Sequence, residues 1–135
     1  MTRPARLYHF TCQHGHRMIG RYNPVLRPQT RHTELPGYPV PLVWLTTEAT
    51  PNPAATGLTS TILDCDRMAH RYAVDDLTDC QPWLTSPWRQ LCDPRLLAVL
   101  ELDGGGDPEH WWVSDTTVRA VWDRTWSGAP AAAAT

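Results

Sequence analysis

The sequence predicts a small, β-rich α+β domain with short strands, few short helices and long loops stiffened by proline. Three observations lead there. The chain of 135 residues is the size of one domain. Its apolar residues fall in short β-prone runs rather than at helical spacing. The 13 prolines recur between those runs and break any longer element.

The elements are read in chain order. Leu7–Thr11 is aromatic and β-prone and reads as a strand, after which Gly15 breaks the chain. His16–Tyr22 is expected to form a short helix ended by Asn23-Pro24. Val25–Pro41 is rich in proline and reads as a long ordered loop or a broken strand. Pro41–Thr46 is apolar on both faces, as a central strand would be. Glu48–Thr56 is rich in turn residues, Thr59–Leu63 is a short helix or strand, and Arg67–Val74 is a strand carrying Arg71 and Tyr72. Asp76–Cys92 holds two prolines and two tryptophans and suits short helical turns. Arg95–Leu102 is apolar enough for a buried strand or a short helix. Gly104–Pro108 is a turn, and the triple glycine lacks the strand and helix that frame a nucleotide loop. His110–Val113 and Val118–Trp122 read as two late strands around a tight bend. The single domain is expected to span residues 1–128, with 129–135 a disordered alanine-rich tail.

Composition narrows the chemistry. A net charge of −2 leaves no whole-molecule footprint for nucleic acid or an anionic membrane. No apolar run approaches the ~20 residues of a membrane span, and no signal-peptide stretch follows Met1. A cytoplasmic, soluble protein is the expectation. All 12 basic residues are arginine, which excludes a lysine Schiff base, a P-loop lysine and a lysine general base. Seven tryptophans against one phenylalanine suggest that one or two line a cleft. The four cysteines, Cys12, Cys65, Cys80 and Cys92, form no C-x-x-C pair and are expected as free thiols. Cys12, His14 and His16 alternate and would share one face of a strand, but no second ligand pair completes a zinc site.

Three segments carry candidate chemistry. His9 and Thr11 lie two apart in Leu7-Tyr8-His9-Phe10-Thr11, Trp44 sits in Val43-Trp44-Leu45-Thr46, and Glu109 leads Glu109-His110-Trp111-Trp112-Val113-Ser114-Asp115-Thr116-Thr117-Val118. This order resembles the ADP-ribosyltransferase superfamily in its histidine–tyrosine–glutamate branch. Poly(ADP-ribose) polymerase-like catalytic domains have a first strand ending in His-Gly or His-x-Thr, similar to His9-Phe10-Thr11. A Gly-x-Tyr-Phe strand follows, which Val43–Thr46 would replace. A Glu-Tyr-x-Val-Tyr-Asp-x-x-Gln-Val motif closes the pattern, and the segment from Glu109 looks like it in its leading glutamate and final valine, with the inner valine and the aspartate each one residue later.

The resemblance implies an NAD-dependent ADP-ribosyltransferase fold, with two small, roughly orthogonal antiparallel sheets packed face to face. The strands of Tyr8, Trp44 and Trp112 would line a cleft between them. Glu109 would stabilise the ribosyl cation, and His9, with Phe10 and Thr11 beside it, would anchor the nucleotide. Trp44 or Tyr72 would stack on nicotinamide, and Arg17, Arg67 or Arg71 would hold the pyrophosphate. NAD is then a substrate and no metal is expected; the acceptor is open among protein, nucleic acid, small molecule and water. The chemistry suits these residue types, because a carboxylate stabilises an oxocarbenium-like centre as in glycoside hydrolysis. The rival reading is a non-catalytic module that binds nucleic acid or protein through arginine and tryptophan. The negative net charge and the scatter of the arginines weigh against it.

Overall fold

A computed structural model describes residues 3–28, 41–51, 68–101 and 107–128. Thr59–Leu63, Cys65, Arg67, the triple glycine and the alanine tail lie outside the described residues.

Eight strands and three helices are described: β1 Leu7–Thr11, α1 Gln13–Ile19, β2 Val25–Leu26, β3 Val43–Thr46, β4 His70–Val74, β5 Gln81–Pro82, α2 Pro87–Gln90, α3 Pro94–Glu101, β6 Trp111–Ser114, β7 Val118–Arg119 and β8 Val121–Trp122. Short 3-10 turns at Trp83–Thr85 and Pro108–His110 precede α2 and β6. Six strands form one sheet in the order β5-β6-β3-β1-β4-β8, and β2 pairs with β7 in a second sheet. Every pairing is antiparallel. The α+β class with antiparallel sheets and few helices is therefore the observed architecture.

Alternation along β1 divides the large sheet into two faces. Leu7, His9 and Thr11 share one face with Tyr72 and Val74 of β4, in the register Leu7↔Val74, His9↔Tyr72 and Thr11↔His70. Leu45, Trp112 and Trp122 join this face through Leu45↔Trp112 and Tyr72↔Trp122. It is covered by Ile19 of α1 and by Leu26 and Val118 of the small sheet. The opposite face carries Trp44, Trp111 and Val113, which pack against Trp83, Trp88, Cys92 and Leu97 of the helical segment. Strand β6 is buried along its whole length because both of its faces are covered.

Local chemistry places the helices. Ser86 caps α2 by accepting from the Arg89 amide at 3.3 Å, with Pro87 at the first helical position. The Asp93 carboxylate accepts from the Arg95 amide at 2.7 Å ahead of α3, and the described part of the Arg95–Leu102 segment, up to Glu101, is helix rather than strand. Buried Glu101 at the end of α3 reaches back to the Arg89 guanidinium at 2.8 Å and ties the two helices together.

Three sequence expectations change. The first helix starts at Gln13 rather than His16, so Cys12, His14 and His16 do not alternate on a strand; His14 is exposed while His16 is buried. The late segment is cut at Ala120, whose amide donates to the Pro24 carbonyl. Its two pieces pair with β2 and β4, not with β6. The strands of Tyr8, Trp44 and Trp112 are neighbours in one sheet, with Trp112 on the face opposite Tyr8 and Trp44. Cys12, Cys80 and Cys92 stand outside any disulfide, and burial pushes the Cys80 thiol up to about 11.

Candidate functional site

One rung of the large sheet gathers the polar and aromatic groups. It runs Trp112, Leu45, His9, Tyr72, Trp122 across β6, β3, β1, β4 and β8. At its centre, the Nδ1–H of His9 donates to the Trp44 carbonyl at 2.9 Å. A carbonyl only accepts, so the proton sits on Nδ1. Burial pulls the His9 pKa below its ordinary 6.5, which keeps the ring neutral and leaves Nε2 as an acceptor. Among the described residues nothing hydrogen-bonds to Nε2.

Tyr72 is fully buried beside His9, with ring centroids 6.5 Å apart. Its hydroxyl donates to the Gly20 carbonyl at 3.0 Å and meets Nδ1 of His16 at 2.6 Å. Since the hydroxyl proton is used, Nδ1–H of His16 is the donor there. Desolvation raises the Tyr72 phenol to about 12. His16 stacks on His70 at 3.8 Å, and the Nε2–H of His70 donates to Gln13 Oε1 at 2.5 Å. Burial, then the neighbouring His70 and Arg21, hold the His16 pKa low. Tyr72 is thus a floor of the site rather than an open stacking ring.

Glu109 is exposed on the 3-10 turn ahead of β6. The turn itself is pinned on both sides. The Thr47 amide donates to the His110 carbonyl at 3.0 Å, and Thr47 Oγ1 lies 2.7 Å from His110 Nδ1. The same ring faces the carboxylates of Glu48 at 3.2 Å and Asp107 at 3.3 Å. Glu109 therefore projects from a held backbone. It lies two strands from His9, roughly 10 Å across the sheet by strand spacing, and three residues upstream of the Trp112 on His9's rung. Glu109 stands on the turn ahead of the sheet, so it is separated from His9 both across the strands and along them.

The other predicted residues separate. Thr11 follows His9 on the same face, where its Oγ1 fills the space beside Gly15. Phe10 points the other way and packs edge-on against Trp126 at 5.2 Å. Trp44 projects from the face opposite His9 and packs against Trp83 and Trp111. Arg17 is exposed on α1, and Arg67 lies outside the described residues. Arg71 is taken up structurally: it pairs with Asp123, donates to the Ala49 carbonyl at 2.7 Å and lies over the Tyr8 and Trp126 rings. Sequence reasoning weighed His16 only as a metal ligand and missed His70, Arg21 and Trp122, because folding brings them together with no local spacing signal. No group of His, Cys, Asp or Glu suited to a metal is present among the described residues. No helix is long and apolar enough to cross a membrane among them. No family model matches the chain, and comparison with curated proteins and with solved structures likewise found no match.

Proposed function

We propose that this chain is an NAD-dependent ADP-ribosyltransferase, in which His9 anchors the nucleotide and Glu109 stabilises the ribosyl cation. The observation that carries the reading is the state of His9: a neutral ring on a central strand, its tautomer set by the Trp44 carbonyl, with Nε2 left as an acceptor. Such a nitrogen suits a ribose hydroxyl, which donates to it without a proton being exchanged. Support also comes from Glu109, an exposed carboxylate on a turn whose backbone is already fixed.

In the reaction, the bond between nicotinamide and the ribose C1′ breaks and its electron pair leaves with nicotinamide. Glu109 offsets the positive charge that develops on the ribose. A nucleophilic acceptor then attacks C1′ and loses its proton to solvent, and water in that role gives free ADP-ribose. His9 serves ground state and transition state alike, whereas Glu109 matters most as charge develops. Trp44 and Tyr72 do not enter as stacking rings, since one faces away from His9 and the other is fully buried.

Nicotinamide release from NAD tests the proposal, with protein, DNA and RNA supplied as acceptors in turn. Glu109→Gln is expected to lower turnover by roughly a hundredfold or more while NAD affinity holds, the scale of losing one transition-state electrostatic group. His9→Ala is expected to weaken NAD binding itself. Absence of both binding at millimolar NAD and nicotinamide release with every acceptor rules the proposal out.

A further inference from the structure

We propose that the β8 edge of the large sheet carries a docking track for single-stranded nucleic acid, formed by Arg21, Tyr22, Trp122 and Arg124. These four residues line a cavity of about 400 Å³. A second cavity of about 260 Å³ adjoins it and shares Trp122 and Arg124. The two cavities therefore meet at the β8 edge, the smaller one reaching round it to the face of Ala73 and Val121, opposite Trp122. That continuity favours an extended polymer over a mononucleotide.

The side chains fit a phosphate backbone with splayed bases. Tyr22 is 92% exposed, an open aromatic ring beside an arginine. The Arg21 guanidinium sits over the Trp122 ring, 4.8 Å from its centroid, and both line the cavity. Arg124 makes no hydrogen bond or ion pair among the described residues, so its charge is available to a ligand. The larger lobe has no carboxylate in its lining. The smaller lobe has two, Asp75 and Asp123, and both are already paired, with Arg6 at 2.6 Å and with Arg71. A positive lobe with a stacking ring leads into a nearly neutral one, which is the combination that grips single strands without reading sequence. A duplex keeps its bases stacked inside and offers Tyr22 no ring to meet. The local charge also answers the objection raised by the net charge of −2, since Arg21 and Arg124 converge although they stand far apart in the chain.

The track goes beyond the nucleotide reading and stands without it. Strand β8 lies four strands from β6, which follows Glu109, and two strands from β1, whose His9 shares a rung with Trp122.

Fluorescence anisotropy of a short labelled oligothymidylate, with the full chain and no NAD, tests the track. The same sequence as a duplex and a phosphopeptide of equal charge serve as the other probes. Preferential binding of the single strand is expected. Tyr22→Ala should weaken it by roughly tenfold with the salt slope unchanged, the scale of one stacked base. Arg124→Gln should weaken it and flatten the slope of log affinity against log salt by about 0.7, the loss of one phosphate contact. Leu91→Ala, an exposed position at the end of α2, should change nothing. No binding at low salt, equal binding of the duplex or of the phosphopeptide, or a Tyr22→Ala variant that binds like the parent overturns the proposal.

Discussion

At the scale of single residues, His9 of β1 and His16 of α1 make the stability of the fold depend on pH on the acid side of neutrality. His9 and His16 both have pKa values below the ordinary 6.5, chiefly through desolvation. The neutral ring is the form the fold favours, so their contribution is complete above 6.5 and is lost as pH falls through the lowered folded values. Asp123 acts in a separate, more acidic window. Its hydrogen bond from Thr125, followed by its bonds from Arg71, pulls its carboxyl from 3.8 to about 2. Its contribution is present above 3.8 and is lost as pH falls towards 2. Urea unfolding midpoints measured across pH are therefore expected to decline in two stages, one below 6.5 and one between about 4 and 2. Asp123→Asn should remove most of the second decline and leave the first. A midpoint that stays flat from 7 to 5 contradicts the histidine assignment.

At the scale of elements, the approach of α1 to β1 decides the geometry around His9. The helix begins two residues after the strand ends, and Gly15 faces the side chain of Thr11. A Cβ on Gly15 would stand 2.0 Å from Thr11 Oγ1 and 3.2 Å from Thr11 Cβ. Both are too close, so the helix must retreat or the threonine must turn. Gly15→Ala is expected to lower stability by about 1–3 kcal/mol, the usual range for overpacking, read as a shift in the urea midpoint. Gly15→Ala together with Thr11→Gly should recover most of the loss; a Gly15→Ala protein as stable as the parent sinks this account.

The same residue explains why the helix starts at Gln13 and not at His16. A glycine between His14 and His16 looks like a breaker when only the chain is seen. Its small size is a tertiary requirement that local sequence does not announce. Leu7–Thr11, by contrast, was legible from its β-prone aromatic composition, and Pro41–Thr46 from apolar residues on both faces, here observed as Val43–Thr46. The Arg95–Leu102 run was ambiguous as an apolar stretch, while Asp93-Pro94 ahead of it carried the helix signal.

At the scale of the whole molecule, long-range pairing assembles what no segment contains. The central rung draws on five strands; β1, β3, β4 and the segment leading into β6 carried candidate residues in the sequence, and β8 carried none. Tyr72, a candidate stacking ring in the sequence, lies beside His9, and its complete burial depends on α1 and β8 closing over it. The late strands defeated a local reading because β7 and β8 each pair with a partner far upstream. Arg71 looked like an anion ligand in the sequence and is instead a cross-link between β4 and the Asp123 turn. That distinction rests on which charges meet, and spacing along the chain does not encode it.

The account of function rests on His9 being a neutral Nδ1–H imidazole whose Nε2 receives a nucleotide. The nitrogen resonances of ¹⁵N-labelled histidine, assigned with His9→Ala, report that state directly, and titration with NAD reports the contact. The account predicts a protonated Nδ1 and an unprotonated Nε2 at neutral pH, and a saturable shift of the His9 Nε2 resonance as NAD is added. A His9 ring in the Nε2–H tautomer, or a His9 Nε2 resonance unmoved at millimolar NAD, would contradict it.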